Sequence, residues 1–366
     1  MGTAAALFLR RRGISVILIE RNLVGQQASG VNFGNVRRQG RYLPQLPLAN
    51  RSRQLWDELP ALIGEDIEFM ATGSIRVAYE EAEVAALEQY AAQARLWGLD
   101  LELLGCSEVH KRFPFLGPDV VGGSWAPDDG HANPRLAAPA FGRAAKRLGA
   151  RILENCKVVD MRKDSTDFVV STEHGVTVKA PAALVCTGAW AGDLAARFGE
   201  PVPIVPKGPT MGVTEPVPYA FVPPVSVSSR LPHEGVYFRQ VKRGNIVFGG
   251  AWRNVVYLDE RRAQVKPEFT LRQIEQLRRL VPRLRDLHVL RTWTGVEGYL
   301  PDEIPVVGAS DRVSGLYYSF GFCGHGFQLG PGVGDVMAEL IATGTTSTNI
   351  QPFHIRRFCS AATTAR

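Results

Sequence analysis

The sequence predicts a mixed α/β protein in which two domains are interleaved along the chain. Three observations support this: the first residues have the pattern of a helix, a turn and an apolar strand; a second apolar strand at 182–186 runs into a glycine turn; and the stretches 70–133 and 201–290 contain strands suited to a mixed sheet. With 366 residues, 45% of them apolar, the chain is long enough for two cores.

The N-terminal residues have the pattern of a dinucleotide-binding unit. Residues 4–9 favour a helix, Gly13 ends it, and residues 16–19 form an apolar run suited to a buried parallel strand. In a Rossmann-like βαβ unit the pyrophosphate lies at the helix N-terminus, and an acidic residue about 20 positions after the glycine fingerprint binds the ribose. Gly2, as the last fingerprint glycine, and Glu20 fit this spacing. The alternative is an ordinary surface helix and strand.

The strand and the first two glycines that precede such a helix are absent from the sequence. Either the start codon has been assigned too far downstream, or the chain never had this strand. We favour the first explanation, because a helix N-terminus without its strand leaves the centre of a sheet unfilled. We therefore expect an in-frame upstream stretch that encodes an apolar strand and Gly-x-Gly, and a stop codon directly before Met1 would contradict this.

The remaining elements follow in order. A loop rich in glycine and amide residues, 24–40, suits close approach of backbone to a ligand. We expect helices at 44–64, 80–97, 136–148 and 271–280, strands at 73–79, 150–153, near 158, and at 182–186, 236–239 and 245–250, and a hairpin centred on 174–175. The predicted nucleotide-binding domain is discontinuous and comprises 1–69, 134–200 and 291–366. The predicted substrate-binding domain comprises 70–133 and 201–290.

Composition narrows the classes of function. The formal charge is only +6 and the arginines are scattered, which argues against a nucleic-acid surface. The five cysteines are odd in number and have no paired short spacing, which indicates a reducing compartment, taken as the cytoplasm, and no metal site. No apolar run has membrane-spanning length, so we expect no integral membrane segment.

Several motifs together identify a family. They are Glu20-Arg21 after the second strand, the Ala-Ser-Gly-x-Asn loop at 28–32, Asp129-Gly130 with Pro134, Cys-Thr-Gly-Ala-Trp at 186–190, Pro-Asp-x-x-Pro at 301–305, and Gly-x-x-Gly-His-Gly-Phe at 321–327. In order and spacing this pattern, over nearly the whole chain, resembles the flavin-dependent amine oxidoreductases of the D-amino-acid oxidase, glycine oxidase and sarcosine oxidase superfamily. Each motif alone is weakly specific.

The resemblance implies FAD and a set of cofactor-binding residues. Gly2 would approach the pyrophosphate, Glu20 the adenosine ribose with Arg21 beside it, and Val158 the adenine through its backbone. The other implied contacts are Ser29, Gly30, Asn32, Thr187, Gly188, Trp190, Gly308, Gly324, Gly326 and Phe327. The helix that follows Phe327 would point at the carbonyl edge of the flavin ring, where negative charge accumulates on reduction.

Two departures from the family pattern affect the chemistry. Gly295 occupies the position at which sarcosine oxidases carry a cysteine bound to flavin, so we expect non-covalent FAD. Gln328 replaces a lysine that grips the substrate carboxylate or activates oxygen in those enzymes. The remaining catalytic candidates are Arg37 and Arg239, either of which could clamp a carboxylate, and His325, more a site of close backbone approach to the flavin than a general base.

The resemblance implies an enzyme that oxidises the C–N bond of a small amino or imino acid: a D-amino acid, a glycine-like, N-methyl or cyclic amino acid, or an opine. The electron acceptor is oxygen or a partner protein, since some relatives are subunits of hetero-oligomeric dehydrogenases. Two alternatives stay open at this point. One is a nicotinamide-dependent dehydrogenase, and the other is a truncated, FAD-deficient homologue that serves as a non-catalytic subunit.

Overall fold

A computed structural model of the chain describes residues 1–359. Its helices are α1 Gly2–Arg11, α2 Ala28–Val31, α3 Leu46–Ile63, α4 Glu81–Arg95, α5 Cys106–Arg112, α6 Pro134–Arg147, α7 Ala191–Arg197, α8 Pro267–Leu280, α9 Gly326–Thr343 and α10 Arg356–Cys359. Short 3₁₀ turns lie at Leu43–Gln45, Gly188–Trp190, Pro232–Glu234, Pro282–Leu284 and Gln351–Phe353.

The strands alternate with these helices. They are β1 Ile17–Ile19, β2 Asn35–Val36, β3 Ser74–Ala78, β4 Glu102–Gly105, β5 Gly122–Ala126, β6 Gly130–His131, β7 Arg151–Leu153, β8 Val158–Asp164, β9 Asp167–Thr172, β10 Thr177–Ala180, β11 Ala183–Val185, β12 Val205–Pro216, β13 Val225–Val227, β14 Val236–Gln240, β15 Asn245–Asn254, β16 Val256–Tyr257, β17 Arg262–Ala263, β18 Val289–Thr294, β19 Glu297–Tyr299, β20 Val306–Ala309 and β21 Leu316–Phe320. The helices and strands expected from the sequence are confirmed, with shifts of a few residues at their ends.

A large mixed sheet forms one part of the described structure. Its nine strands run in the order β18-β12-β15-β14-β13-β3-β5-β4, with β19 paired to the start of β12. Only β13 and β3 pair in parallel, and the other neighbours are antiparallel. Because β18 and β19 belong to this sheet, the chain leaves it only after Tyr299, later than the return at 291 that we expected.

Parallel strands and helices form the other part. Strand β1 pairs in parallel with β7, and β11 pairs in parallel with β21, to which β20 adds an antiparallel edge. Helix α1 packs on α6 and α9, and its residues Thr3–Leu9 are buried. Strands β1 and β11 share no ladder in the described chain. Gly2 lies close to both, since a Cβ there would stand 3.5 Å from Leu18 Cδ1 and 3.7 Å from Cys186 Cβ.

None of the helices within residues 1–359 is long and apolar enough to cross a membrane.

Candidate active site

A cavity of about 450 Å³ lies where the two parts of the structure meet. The N-terminal ends of α1 and α9 both open into it, so two positive helix ends face the same space. The large sheet closes it with side chains from β12, β14, β15 and β19. Eight of the residues predicted for the site line it: Ser29, Asn32, Arg37, Gly188, Gly324, His325, Gly326 and Phe327.

The loop around α2 forms one wall of the cavity. Asn32 ends this helix by donating from Nδ2 to the carbonyls of Ala28 and Ser29, both at 2.9 Å, and its Oδ1 accepts the Gly34 N–H at 2.8 Å. A Cβ on Gly30 would collide with the Gly25 carbonyl, so only glycine allows the loop to close on itself there. Asn32 therefore holds the loop in shape while Ser29 faces the cavity.

Open backbone along the cavity fits a flat, hydrogen-bonding cofactor. A Cβ on Gly188 or on Gly330 would meet no protein atom within 4 Å, and Gly188 and Gly324 have φ of 56° and 80°, which favour glycine. Asn35 also lines the cavity, and its buried Oδ1 has no hydrogen-bond partner among the described residues. Buried polar atoms are normally paired, so this oxygen indicates a donor from a bound group.

The residues predicted for the adenosine end lie beyond this cavity, after the strand ends. Glu20 follows β1, and its Oε1 accepts the Asn22 N–H at 2.9 Å. The Arg21 guanidinium stacks 4.3 Å above the Trp190 ring, which brings two predicted residues together. Gly2, Gly30, Val158 and Thr187 are likewise absent from the cavity lining. Their roles stay predictions.

Sequence reasoning missed the most polar group of the cavity, which is formed by Arg253, Glu297 and Tyr299. Arg253 Nε donates to the Tyr299 hydroxyl at 2.9 Å, and that hydroxyl donates to Glu297 Oε2 at 3.2 Å. Arg253 Nη1 donates to the backbone carbonyls of Gly250 and Trp252, at 2.8 and 3.1 Å. Nη2 has no hydrogen-bond partner in the described chain and is left for a ligand.

Burial and charge act in opposite directions on this group. Burial opposes the charge on Arg253, but the neighbouring Tyr237, Tyr299 and Glu297 outweigh it and raise the pKa of Arg253. Burial raises the pKa of Glu297, only partly countered by Arg253 and the Tyr299 hydroxyl. Alternate residues of a strand share a face, so the pattern Glu297-Gly-Tyr299 was the available signal.

The buried carboxyl makes stability depend on pH. The pKa of Glu297 is raised above 4.5 in the folded protein, so the folded state holds this proton more tightly than the unfolded state does. We expect Glu297→Gln to leave the free energy of unfolding unchanged below pH 4.5 and to give a growing advantage above it, by at most about 1.4 kcal/mol per pH unit until the carboxyl has ionised. Urea unfolding at pH 4 and pH 8 measures this, and an equal difference at both pH values would contradict it.

Three arginines and His325 also line the cavity. Arg37 and Arg41 follow the α2 loop, and Arg76 projects from β3. Arg41 Nη1 donates to the His325 carbonyl at 3.2 Å, which fixes the residue before α9. Burial, and then the charges of four arginines including Arg253, lower the pKa of His325 well below its usual value. His325 is therefore a neutral ring at the N-terminus of α9.

Three further predicted residues, Arg239, Gly308 and Gln328, do not line the cavity, and their roles stay predictions. Arg239 is buried. Its Nε donates to the Phe33 carbonyl at 2.7 Å and its Nη1 lies 3.3 Å from His131 Nδ1, so it holds the chain that follows α2 in place. Tyr237, on the same strand, faces the cavity instead. A Cβ on Gly308 would stand 3.7 Å from Ile350 Cδ1 and 3.9 Å from His354 Cδ2, neither of which lines the cavity.

Gln328 lies between helices α9 and α3 and not in the cavity lining. It is 1% exposed and faces helix α3, where its Nε2 donates to the Ala49 carbonyl at 2.8 Å. The backbone carbonyl of Gln328 accepts hydrogen bonds from Ser52 Oγ at 2.6 Å and from Trp56 Nε1 at 2.8 Å. Gln328 therefore joins α9 to α3 and does not reach the place that a substrate would take.

Comparison with known proteins identifies the family. A family model described as FAD dependent oxidoreductase matches residues 1–340. The chain is 28% identical to glycine oxidase of Geobacillus kaustophilus (98% of this chain, 94% of that protein) and 26% identical to an opine oxidase subunit of Rhizobium meliloti (98% and 95%). The crystal structure of L-proline dehydrogenase from P. horikoshii superposes with a TM-score of 0.90 at 27% identity, over 98% and 95% of the two chains. The chain therefore belongs to the DAO family of FAD dependent oxidoreductases.

Proposed function

We propose that the protein oxidises the C–N bond of a small amino or imino acid and binds FAD without a covalent link. The observation that carries this is the free Nη2 of Arg253 in the cavity into which the N-terminus of α9 opens. A guanidinium nitrogen with two free N–H groups can donate charge-assisted hydrogen bonds to a carboxylate. The names of the relatives, an oxidase of glycine, an opine oxidase subunit and a proline dehydrogenase, support the same class of substrate.

Each residue then has a stated task. Arg253 binds the substrate carboxylate, and Tyr299 keeps the guanidinium in place. Glu297, with its raised pKa, accepts a proton from the substrate ammonium so that the free amine is held in the cavity. Bound FAD supplies the hydride acceptor for the carbon that carries this amine. Tyr237 and Met211 cover the cavity from the large sheet and exclude water.

The thiol chemistry supports a non-covalent cofactor. Gly295 offers no sulfur, and Cys323, which does line the cavity, is engaged: its Sγ donates to the Gly321 carbonyl at 3.2 Å and accepts the Leu300 N–H at 3.3 Å. Burial raises the pKa of Cys323 to about 11, so the sulfur is a thiol and a poor nucleophile. A cytoplasmic location stays our prediction from the free cysteines.

The test is the visible spectrum of the purified protein after incubation with FAD. We expect flavin bands that bleach on anaerobic addition of glycine, sarcosine, proline or D-alanine, and flavin that is released into the supernatant by acid precipitation. Reoxidation by air, compared with reoxidation by an artificial electron acceptor, separates oxidase from dehydrogenase. Flavin bands that no amino or imino acid bleaches would contradict the proposed reaction.

A second candidate is a flavin-free subunit of a larger assembly. The observation that favours it is the similarity to a protein named as a subunit of an opine oxidase. A protein that binds no FAD but co-purifies with a flavoprotein partner would support it. The family match leaves no place for the nicotinamide alternative.

A further inference from the structure

Arg37, Arg41 and Arg76 form a cluster of positive charge, with Arg41 buried and the other two half-buried, that the proposed reaction does not use. The guanidinium groups of Arg37 and Arg76 converge at Gly40, where a Cβ would overlap Arg76 and lie 3.0 Å from Arg37 Nη1. Arg41 is 4% exposed, and the hydroxyl of Tyr90 accepts its backbone N–H at 3.0 Å. All three arginines line the cavity that also contains Arg253.

The partners of these three side chains are all uncharged. Arg37 donates to the Gln39 carbonyl and Arg76 to Ser228 Oγ at 3.2 Å. Arg41 donates to the Arg37 carbonyl at 2.9 Å, to Gln45 Oε1 at 3.0 Å and to the His325 carbonyl. Within residues 1–359 none of the three forms an ion pair.

Other arginines of this protein are treated differently. Arg38, next in sequence to Arg37, pairs with Asp128 and Asp129, and Arg51 pairs with Asp335 and Glu339. The acidic side chains that line the outer end of the cluster are Asp302 and Glu303, and Asp302 is bound to Arg357 at 2.7 Å. A buried charge without a counter-charge is costly, so the cluster is suited to an anion brought by a ligand.

Burial and mutual repulsion lower the pKa values of the arginines in the cluster. Burial, and then the charge of Arg37, lower the pKa of Arg41 to about 9 and that of Arg76 to about 10. Both stay positive at neutral pH, so the repulsion is present in the working protein. An incoming carboxylate relieves it and gains charge-assisted hydrogen bonds at the same time.

We propose that Arg37, Arg41 and Arg76 bind a second carboxylate of the substrate, which is therefore an amino or imino acid with two carboxylates. Arg253 holds the first carboxylate, the arginine cluster holds the second, and the reacting C–N bond lies between them near His325. This rests on the proposed function, since it names the substrate of the same cavity. A phosphate or another inorganic anion satisfies the same charges and is the alternative that the test separates.

The test uses two ligands that differ by one carboxylate and cannot be oxidised at a C–N bond. Thiodiacetate and (methylthio)acetate are titrated into the FAD-loaded protein by calorimetry. In parallel, iminodiacetate and sarcosine are added anaerobically and bleaching of the flavin is measured. We expect thiodiacetate to bind at least about tenfold more tightly than (methylthio)acetate, as one charge-assisted contact provides. We expect Arg76→Gln to abolish this preference and Arg76→Lys to restore part of it. Arg243→Gln, which removes an exposed arginine on the β14–β15 turn, should leave it unchanged.

The outcomes separate the two proposals. Equal affinity of the unaltered protein for the two ligands overturns the second subsite, and this result needs no variant to fold. A preference that survives in both Arg76→Gln and Arg41→Gln overturns it as well, as does sodium phosphate that binds as tightly as thiodiacetate. An Arg76-dependent preference in a protein whose flavin is bleached by neither iminodiacetate nor sarcosine supports the subsite and counts against the proposed oxidation. Flavin that is bleached by sarcosine, in a protein that binds thiodiacetate no more tightly than (methylthio)acetate, supports the proposed oxidation and overturns the second subsite.

Discussion

Replacing Arg253 with methionine is expected to lower kcat/KM for an amino acid substrate by about 100-fold to 10,000-fold, while FAD stays bound. The reason is that the two N–H groups of Nη2 can donate two charge-assisted hydrogen bonds to a carboxylate, each contributing about 1.5–3 kcal/mol. Methionine keeps much of the apolar stem and removes the charge. Steady-state kinetics with the substrate identified by flavin bleaching, together with the flavin content of the variant, measures the effect.

Two controls make this result interpretable. Arg272→Met removes an arginine from the exposed face of α8, where it stacks 5.6 Å from the ring of Trp252, and should change kcat/KM less than about twofold. Arg253→Lys keeps the charge but loses the planar fork, so an intermediate loss is expected. If Arg253→Met binds and oxidises a carboxylate substrate as well as the unaltered protein does, Arg253 is not the carboxylate clamp.

The local elements of this fold could be predicted because their signals are local. The run at residues 4–9 followed by Gly13, and the apolar strands at 16–19 and 182–186, carry helix and strand periodicity within a few positions. The strand order of the large sheet could not be predicted in this way. Strand β3 lies beside β13, about 150 residues later in the chain, and this pairing depends on packing between distant segments.

The candidate site was predictable where it consists of loops and glycines. Ser29, Asn32, Gly324 and His325 lie on small-residue turns after strands or before helices, and such turns are where backbone meets a ligand. Arg239 lies on the expected strand, but the sequence does not show that its Nε donates a hydrogen bond to the Phe33 carbonyl. For Gln328 the helix geometry decides, since two residues beyond Gly326 a side chain has rotated by about 200° and points toward α3.

Arg253, Glu297 and Tyr299 show the opposite case. Their segments were recognised, but their chemistry depends on two strands, β15 and β19, that do not pair with each other and meet only through β12. The resemblance to flavin enzymes directed attention to Arg37, which aligns with a family arginine, and the position at the end of a strand directed attention to Arg239. The unpartnered Nη2 of Arg253 is visible only once its other hydrogen bonds have been counted.

The contact between α1 and α9 gives the second large effect. A Cβ on Gly334 would lie 2.5 Å from Ala4 Cβ, 2.7 Å from Ala4 C and 2.8 Å from Ala5 N, so the backbones of the two helices touch. Gly334→Ala must therefore push α1 away from α9. We expect the free energy of unfolding to fall by about 2–4 kcal/mol, with part of the steric cost offset by the better helix propensity of alanine.

The same displacement should weaken FAD binding, because the N-terminal ends of both helices open into the cofactor cavity and α1 cannot shift without moving its end. The matched control for the free energy of unfolding is Gly330→Ala on the same helix, where the new Cβ meets no protein atom within 4 Å and this free energy should rise by up to about 1 kcal/mol; since Gly330 itself lines the cavity, flavin content is compared with that of the unaltered protein. Urea unfolding and flavin content are measured for both variants. If Gly334→Ala is as stable as Gly330→Ala and keeps its flavin, the close packing of α1 on α9 does not hold the cofactor site together, and the positive helix ends would have to be positioned by the strands alone.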